Sequence, residues 1–328
     1  MFDLYKNLFY IIVKTVFMKY NIDKFKKEVD RMISFREVTI NDIEWIRECN
    51  SKSQIRGSEY AAGTLFLWSC AYNIKIAEVD GMCCIFNDFD TNKRYVYPFG
   101  EGDKKGVIEK LAGDARERGV RFALYGVTEN SKVELEEMFP GRFEFGDRRE
   151  DWDYIYSVEK LTTLSGRKLH GKRNHIARFK DNEDWQFEII SEENFEECLA
   201  MNRVWCDLYG PSKDETIDKE KCAVKKAFDN YRELGLMGGL LRLNGKVIAY
   251  TLGEQVTEDT FLIHFEKAFA DIQGAYPMIN QQFVLNCLQN YKFVNREEDM
   301  GDEGLRKAKL SYYPEILLEK FVAYDKGE

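Results

Sequence analysis

Apolar residues come in short runs along this chain, and two pairs of runs are joined by strong hairpin signals. Residues 75–79 and 82–86 flank Asp80 and Gly81, and residues 236–243 and 246–252 flank Asn244 and Gly245. Asp-Gly and Asn-Gly suit two-residue hairpin turns because both positions need positive φ angles. The pattern therefore predicts one β-hairpin in each half of the chain.

The elements around the two hairpins follow the same order twice. Each half reads strand, one or two helices, hairpin, strand, helix, strand, helix, strand. This order predicts an α/β (α+β) protein with mixed, mostly antiparallel sheets. At roughly 100–200 residues per domain, the 328 residues suit two domains. We assign an N-terminal extension to residues 1–31, a first domain to 32–160, a basic connecting segment to 161–184 and a second domain to 185–328.

Composition narrows the classes of protein that fit. Hydrophobic residues make up 44% of the chain and the net charge is -9. The chain can therefore fill two cores, and it is too acidic for a general nucleic-acid coat protein. Eight cysteines form no CxxC pair, which favours reduced thiols and a cytoplasmic location. With only three histidines and no metal-binding motif, we expect no metal site.

The N-terminal extension holds an apolar run at residues 8–17 that Lys14 interrupts. A membrane-spanning helix needs about 20 apolar residues, so we expect no integral membrane span. A packed or frayed helix is the favoured interpretation. A helix lying on a membrane surface is the alternative, which leaves a peripheral membrane location open.

The element order of the second half resembles the GNAT acyltransferase fold. Proteins of that fold bind the donor's pyrophosphate where a strand leads into a helix, at a Q/R-x-x-G-x-G/A loop. The matching stretch is Gln273, Gly274 and Ala275, which keeps one glycine of that motif. The resemblance implies donor binding there, since glycine lets backbone N–H groups approach an anion. It also implies a proton-donating role for Tyr312. The alternatives are an ordinary loop glycine and a buried tyrosine with a satisfied hydroxyl.

Three further segments resemble one bacterial family of tandem GNAT-like proteins. They are residues 151–156 (DWDYIY), 171–176 (GKRNHI) and 295–309 (NREEDMGDEGLRKAK). The family is related to the C-terminal domain of phosphatidylglycerol lysyltransferase, and many of its members have no assigned function. The resemblance covers residues 32–326 and implies two tandem GNAT-like domains. It also implies transfer of an amino acid from aminoacyl-tRNA to a lipid head group, although the integral membrane domain of those lysyltransferases has no counterpart in this sequence.

The strand predicted at residues 260–266 carries the candidate proton acceptors. Strict alternation places His264 and Glu266 on one face. Aminoacyl transfer needs a group that removes a proton from the acceptor, and either side chain suits that role. The alternative is that the carboxylates of this region pair structurally with Lys267 or Arg306.

The helix predicted from residue 303 carries candidate donor-binding cations. Arg306, Lys307 and Lys309 follow an acidic stretch at the end of a strand. Ligands commonly gather at the carboxyl ends of strands in α/β folds. We therefore expect Glu266, Arg306 and Lys309 to line one pocket beside Gly274. The alternative is a capped, salt-bridged surface helix.

The connecting segment is basic, with six lysines and arginines and no acidic residue between positions 161 and 180. Lys168, Lys172, Arg173 and Asn174 suit contact with nucleic acid or phosphate. Since the pyrophosphate loop is degenerate, this segment favours aminoacyl-tRNA over a coenzyme as the donor. The alternative is that a basic linker neutralises two acidic domains.

Together these features favour an acyltransferase-like enzyme whose site lies in the second domain. It moves an aminoacyl group from aminoacyl-tRNA, or an acyl group from acyl-CoA, to an amine or hydroxyl on a small molecule, a peptide or a lipid head group. We expect no tightly bound cofactor, with aminoacyl-tRNA or acyl-CoA as co-substrate and tRNA as a partner. The alternative is a non-catalytic ligand- or partner-binding protein on the same fold.

Overall fold

A computed structural model describes residues 32–88, 93–209 and 215–327 of the chain. The predicted N-terminal helix at residues 8–17 lies outside the described residues. The strands in the described part are β1 (Arg36–Glu37), β2 (Ile74–Val79), β3 (Met82–Asn87), β4 (Arg94–Val96), β5 (Phe99–Gly100), β6 (Ala123–Thr128), β7 (Phe143–Asp147), β8 (Asp153–Ser157), β9 (Trp185–Ile189), β10 (Met237–Leu243), β11 (Lys246–Thr257), β12 (Thr260–Ala268), β13 (Phe293–Asn295), β14 (Ile316–Leu318) and β15 (Lys320–Asp325).

The α-helices of the same part connect these strands. They are α1 (Ile43–Ser53), α2 (Ala62–Leu67), α3 (Ser69–Tyr72), α4 (Lys104–Arg118), α5 (Glu129–Met138), α6 (Val158–Thr163), α7 (His170–Lys180), α8 (Phe195–Tyr209), α9 (Glu215–Asp229), α10 (Ala275–Cys287) and α11 (Glu303–Leu310). Short 3-10 turns lie at Ile40–Asp42, Ser58–Tyr60, Arg149–Asp151 and Glu192–Asn194.

The strands form two sheets with the same plan. The first sheet has the order β1-β2-β3-β4-β6-β15-β7, with β5 also paired to β3, and the second has the order β9-β10-β11-β12-β13-β8-β14. Neighbouring strands are antiparallel in both sheets except at the fourth and fifth positions, where β4 with β6 and β12 with β13 run parallel. The α+β class and the mostly antiparallel sheets predicted from the sequence are confirmed.

The sixth strand of each sheet comes from the other half of the chain. β8 follows β7 along the chain but pairs with β13 and β14 in the second sheet. β15 follows β14 but pairs with β6 and β7 in the first sheet. The two halves therefore exchange one strand each, which the sequence pattern did not indicate. The domain boundaries assigned from the sequence stay a prediction, and the two sheets do not divide at one position of the chain.

A central core joins the two sheets. Helices α1, α2, α8 and α9 pack in it against one face of each sheet. The other face of the first sheet is covered by α4 and α5, and the other face of the second sheet is covered by α6, α7 and α10. Because one core is continuous between the sheets, charged residues near it are shielded from water.

The two predicted hairpin turns are present. Asp80 and Gly81 have φ angles of 50° and 81°, and Asn244 and Gly245 have φ angles of 51° and 74°. Positive φ at both positions is the requirement that made these dipeptides informative. The hairpins lie at equivalent places in the two sheets, which agrees with the repeated order of elements.

Candidate functional site

The parallel strands β12 and β13 separate at one end, and the opening between them holds the candidate site. Their pairing ends at Leu262 and Asn295, after which β12 continues to Ala268 paired only with β11. Side chains bridge the gap, with Arg296 Nη2 lying 2.6 Å from Glu266 Oε1. On the opposite face of the sheet, residue 297 reaches the histidine of β12. Charged groups from both strand ends therefore line the opening.

A β-bulge at His264 divides the charged residues of β12 between two faces. The register shifts at Leu252 and Gly253 of β11 and leaves His264 without a ladder partner. Glu266 consequently faces α10, and His264 faces α2. The prediction that His264 and Glu266 share one face is wrong, because the extra residue of the bulge interrupts the alternation.

His264 lies between two carboxylates. Its Nε2 is 3.1 Å from Glu254 Oε1 and its Nδ1 is 3.3 Å from Glu297 Oε1. Burial lowers the pKa of His264, but the hydrogen bonds and charges of Glu254 and Glu297 outweigh it and raise the pKa to about 9. The imidazolium then donates from both nitrogens and has no lone pair free to accept a proton. A charged His264 does not suit the predicted role of a base, and its catalytic role stays a prediction.

Glu254 links this histidine to the first half of the chain. It is fully buried and also receives hydrogen bonds from the backbone N–H of Gly63, at 2.6 Å, and from Arg47 Nη2, at 3.0 Å. A Cβ at Gly63 would lie 2.4 Å from Glu254 Oε1 and 2.9 Å from His264 Nε2. Only glycine therefore lets α2 approach the second sheet this closely.

Glu266 belongs to a second polar group on the α10 side. Its Oε1 accepts from Arg296, and its Oε2 accepts from Asn280 Nδ2 at 3.0 Å. The ring of Tyr312 closes one side, with the ammonium of Lys172 at 4.0 Å and the guanidinium of Arg296 at 5.1 Å from its centroid. Burial, reinforced by the charge of Arg296, lowers the pKa of Lys172 to about 8. We call this group, made of Glu266, Arg296, Asn280, Tyr312 and Lys172, the Glu266 cleft.

Tyr312 keeps its proton in this cleft. It is buried, and burial raises its pKa well above the ordinary value for tyrosine, with only partial opposition from Arg296. The hydroxyl therefore suits hydrogen bonding better than proton release at neutral pH. Its catalytic role stays a prediction.

A third charged group lies where the exchanged strands meet. Lys320 opens β15 and Asp153 opens β8, and their charged atoms are 2.9 Å apart with almost no exposure. Lys320 Nζ is also 2.8 Å from Glu59 Oε1. Burial raises the pKa of Glu298 to about 8, a shift that Lys320 opposes and Asp153 and Glu59 increase. Lys320 is thus the shared cation of several shielded carboxyl groups.

The predicted donor-binding cations of α11 have separate partners. Arg306 makes a bidentate pair with buried Asp299, at 2.9 Å for both contacts, and Lys309 donates to the backbone carbonyls of residues 297 and 298. Lys307 is exposed. Glu266, Arg306 and Lys309 were expected to line one pocket, but the structure shows no hydrogen bond or ion pair that joins any two of them. Arg296 takes the place beside Glu266 that was expected for Arg306.

The loop expected to hold a pyrophosphate is closed by α7. Gly274 has a φ of 84°, and a Cβ there would lie 2.2 Å from the backbone oxygen of His175. Ala275 is buried, and Gln273 is exposed. Packing therefore explains why residue 274 is a glycine, because α7 approaches the backbone too closely for a side chain there. The donor-binding role of these three residues stays a prediction.

The basic segment lies along a broad surface groove of about 1180 Å³. Lys168 lines it, and its ammonium is 5.0 Å from the ring centroid of Tyr313. Arg173 instead donates to the backbone carbonyls of Leu164 and Gly166, and Asn174 pairs with a histidine one turn before it. The other cations of the groove are Lys160, Arg167 and Lys292. The four predicted phosphate contacts therefore do not form one surface, since Lys172 belongs to the Glu266 cleft.

Comparison with known proteins places the chain in a family. The family model for the C-terminal region of phosphatidylglycerol lysyltransferase matches residues 51–324. The chain belongs to the phosphatidylglycerol lysyltransferase C-terminal family. The resemblance noted in the sequence is thereby confirmed. The family and the tandem GNAT-like fold are of the aminoacyl- and acyltransferase-like kind.

Two solved structures share the fold of this lysyltransferase-family chain over nearly its whole length. A conserved protein of unknown function from Bacteroides thetaiotaomicron is 38% identical, with a TM-score of 0.86 over 90% of this chain and 100% of that one. The structure of L-PGS from Bacillus licheniformis is 15% identical, with a TM-score of 0.56 over 93% and 92% of the two chains. An uncharacterised protein of Mycoplasmoides gallisepticum is 24% identical over 174 residues, which are 52% of this chain and 55% of that relative.

No helix within residues 32–88, 93–209 and 215–327 of this lysyltransferase-family chain has the length and apolar character needed to cross a bilayer.

Several residues of the candidate site were missed in the sequence. Asn280 and Thr251 are buried in elements with many apolar positions. Thr251 stands alone in an apolar run, which was an available signal, whereas Asn280 begins a polar stretch at residues 280–282. Arg296 directly follows β13, within one of the segments that resembled the lysyltransferase family. Asp153 lies in the segment 151–156 that carried the resemblance, and Lys320 gave no local signal. Their pairing depends on the exchange of strands, which the sequence pattern did not indicate.

Proposed function

We propose that this protein transfers an aminoacyl group from aminoacyl-tRNA, or an acyl group from acyl-CoA, to an amine or hydroxyl acceptor in the Glu266 cleft. The observation that carries the proposal is the juxtaposition of Arg296 and Lys172 over Tyr312, beside the separated strands β12 and β13. Membership of the lysyltransferase family supports aminoacyl or acyl transfer as the kind of reaction. The cleft supplies a fixed guanidinium and an amine that can release its proton near neutral pH.

The proposed reaction assigns a place to each proton and bond. The acceptor's nitrogen or oxygen bonds to the carbonyl carbon of the donor, and the ester bond to tRNA, or the thioester bond to coenzyme A, breaks. Lys172 in its neutral form takes the acceptor's proton. The leaving oxygen or sulfur then receives that proton from the Lys172 ammonium, which returns to its neutral form. Arg296 stabilises negative charge that develops on the carbonyl oxygen, and Glu266 holds Arg296 in position.

Two observations favour tRNA over coenzyme A as the donor. A Cβ at Gly274 would lie 2.2 Å from the carbonyl oxygen of His175, so α7 packs against the loop that a pyrophosphate would need. The groove beside the cleft carries Lys168, Arg167 and Lys292 and is open to the surface. Several spaced cations suit a phosphate backbone, whereas a coenzyme needs one compact loop of backbone N–H groups.

A transfer assay tests the proposal directly. Purified protein is mixed with radiolabelled aminoacyl-tRNA or acetyl-CoA and with small amines, peptides or phosphatidylglycerol vesicles, and label in the acceptor is measured. Lys172→Met should lower kcat by about 100-fold or more, the usual contribution of a positioned proton acceptor. The same change at Lys180, an exposed residue of α7, is the matched control and should leave the rate unchanged.

The pH profile separates a chemical role of Lys172 from a structural one. Wild-type kcat/KM should rise as pH approaches 8, where Lys172 loses its proton, and this limb should disappear in the Lys172→Met variant. Equal rates for the Lys172 and Lys180 variants would contradict the assignment. Ligand binding without any transfer would instead favour a non-catalytic binding protein on this fold.

A further inference from the structure

Two of the eight cysteines are exposed, and they lie on helices from opposite halves of the chain. All eight cysteines belong to the part of the chain that the structure describes, and only Cys70, on α3, and Cys222, on α9, are exposed. Small oxidants reach exposed thiols, whereas buried structural thiols are inert. The position of these two thiols relative to each other therefore determines whether they react as a pair.

The contacts of two lysines show how α9 lies along α2 and α3. The ammonium of Lys226 donates to the carbonyl of Phe66 and to Ser69 Oγ, and it lies 3.8 Å from the ring centroid of Phe66. Two turns earlier on α9, the ammonium of Lys219 lies 5.7 Å from the ring centroid of Tyr72. The two helical stretches therefore run antiparallel, with the end of α9 beside Phe66 and its beginning beside Tyr72.

Cys70 and Cys222 lie on facing sides of these stretches. Cys222 shares one face of α9 with both lysines, because positions three and four residues apart are neighbours on a helix. By the same spacing, Cys70 shares a face of the opposing stretch with Phe66. Burial lowers the pKa of Lys226, and the nearby sulfur atoms of Cys70 and Cys222 oppose that shift. Both thiols are therefore close to the same ammonium group.

The packing of the helices suits a covalent link between them. Cα atoms of α2 and α9 approach within 8 Å of each other. A disulfide joins Cα atoms that are about 4.4–6.8 Å apart. Facing positions on packed helices reach this separation, because the helix axes lie about 8–10 Å apart and each Cα lies about 2.3 Å from its axis. A disulfide between the two cysteines therefore fits helices that stay packed.

We propose that Cys70 and Cys222 form a reversible disulfide on reaction with a peroxide, and that this bond clamps the first half of the chain to the second. The inference does not depend on the proposed function. Because thiols in a reducing compartment are reduced at rest, the bond forms only under oxidation, and a dithiol reverses it.

The proposed oxidation takes place in two steps. The thiolate of one cysteine attacks the peroxide, so that a sulfur–oxygen bond forms, the oxygen–oxygen bond breaks and the released hydroxide takes up a proton to give water. The second thiolate then attacks the sulfenic sulfur, the sulfur–sulfur bond forms, and the sulfenic oxygen leaves as water after protonation. Two thiols lose two electrons in all, and one hydrogen peroxide is reduced to two waters.

The bond acts on the contact between the two halves. Gly63 of α2 donates its backbone N–H to Glu254 of the second sheet, so α2 is already part of that contact. The disulfide would hold the adjoining α3 to α9 and close a long loop of the chain, the kind of loop for which a cross-link stabilises most. Oxidised protein should therefore resist urea better than reduced protein.

Mass spectrometry of the full chain tests the bond. Reduced protein is treated in native buffer with a small excess of hydrogen peroxide, free thiols are blocked with N-ethylmaleimide, and the protein is digested without reductant. The expected product is a linked pair of peptides that contain Cys70 and Cys222, and dithiothreitol should separate them. The urea midpoint of the oxidised protein should be higher than that of the reduced protein by about 1 M.

Single variants distinguish this bond from general oxidation. Cys70→Ser and Cys222→Ser should each lose the linked peptides and the rise in urea midpoint. In the reduced state both variants should unfold like wild type, because both side chains are exposed. Cys287→Ser, at a half-buried cysteine of α10, is the matched control and should keep the linked peptides and the rise.

Three results would overturn the inference. Separate sulfinic acids without linked peptides would show that the two thiols do not react as a pair. Dimers on a nonreducing gel in place of the internal link would show that the thiols react between molecules. Linked peptides with an unchanged urea midpoint would show that the bond does not clamp the two halves.

Discussion

Lys320 allows a test of how much the buried ion pairs between the exchanged strands contribute to stability. Its ammonium is 1% exposed, 2.9 Å from Asp153 and 2.8 Å from Glu59. Replacing Lys320 by Met keeps the bulk of the side chain and removes the cation, so two shielded carboxylates lose their shared partner. Removing one member of a buried ion pair typically costs about 3–5 kcal/mol. Since domains are stable by about 5–15 kcal/mol, the expected loss is a large part of the total.

Urea unfolding followed by tryptophan fluorescence and circular dichroism measures this loss. The control is Lys225→Met, because Lys225 makes an even closer pair with Asp229, at 2.5 Å, on the exposed surface of α9. The control should leave the free energy of unfolding unchanged, as exposed pairs contribute little. Adding Asp153→Asn to Lys320→Met should recover part of the loss, because one unpaired charge disappears. If Lys320→Met is as stable as the control, the shielding inferred for this cluster is wrong.

Two further predictions concern the buried histidine and the glycine beside it. Gly63→Ala should destabilise the protein by about 1–3 kcal/mol, the usual cost of overpacking, because the added Cβ would lie 2.4 Å from Glu254 Oε1. The control Gly113→Ala in α4, where the nearest atom is 3.8 Å from the added Cβ, should not destabilise the protein. Equal urea midpoints for the two variants would contradict the close approach at Gly63. The pKa of His264 is about 9 in the folded protein, compared with an ordinary histidine value of 6.5. Its contribution to stability is therefore complete below pH 6.5 and is lost as pH rises through 9, on the order of 3 kcal/mol in all. Denaturant titrations of wild type and His264→Gln should converge across that interval, and a constant difference between them would show that His264 is not charged in the fold.

Local features of the fold could be predicted from the sequence because their causes are local. The two hairpin turns follow from positive φ at Asp80, Gly81, Asn244 and Gly245. The repeated order of strands and helices follows from periodicity. By contrast, the partners of β8 and β15 are not encoded in their own pattern, since a strand of alternating residues pairs with any suitable edge.

The candidate site was less predictable because it depends on contacts between distant residues. His264 and Glu266 look equivalent by alternation, and only the register shift in the opposing strand separates them. Arg296 precedes the acidic stretch at residues 297–303 and Arg306 follows it. Only the geometry after β13 shows that Arg296 is the one that pairs with Glu266. Gly274 matched a phosphate-loop position, yet a packing contact with α7 also requires glycine there.

The exchange of strands has a consequence for how the protein is made. β7 pairs only with β15 among the described strands, and β15 is the last of these strands in chain order. During synthesis the first sheet therefore waits, with β6 and β7 not yet joined through β15, until β15 has left the ribosome. Open strand edges invite pairing with other chains, so the growing polypeptide passes through a vulnerable interval. Deletion of β15 would prolong that interval indefinitely, although it removes nothing from the Glu266 cleft.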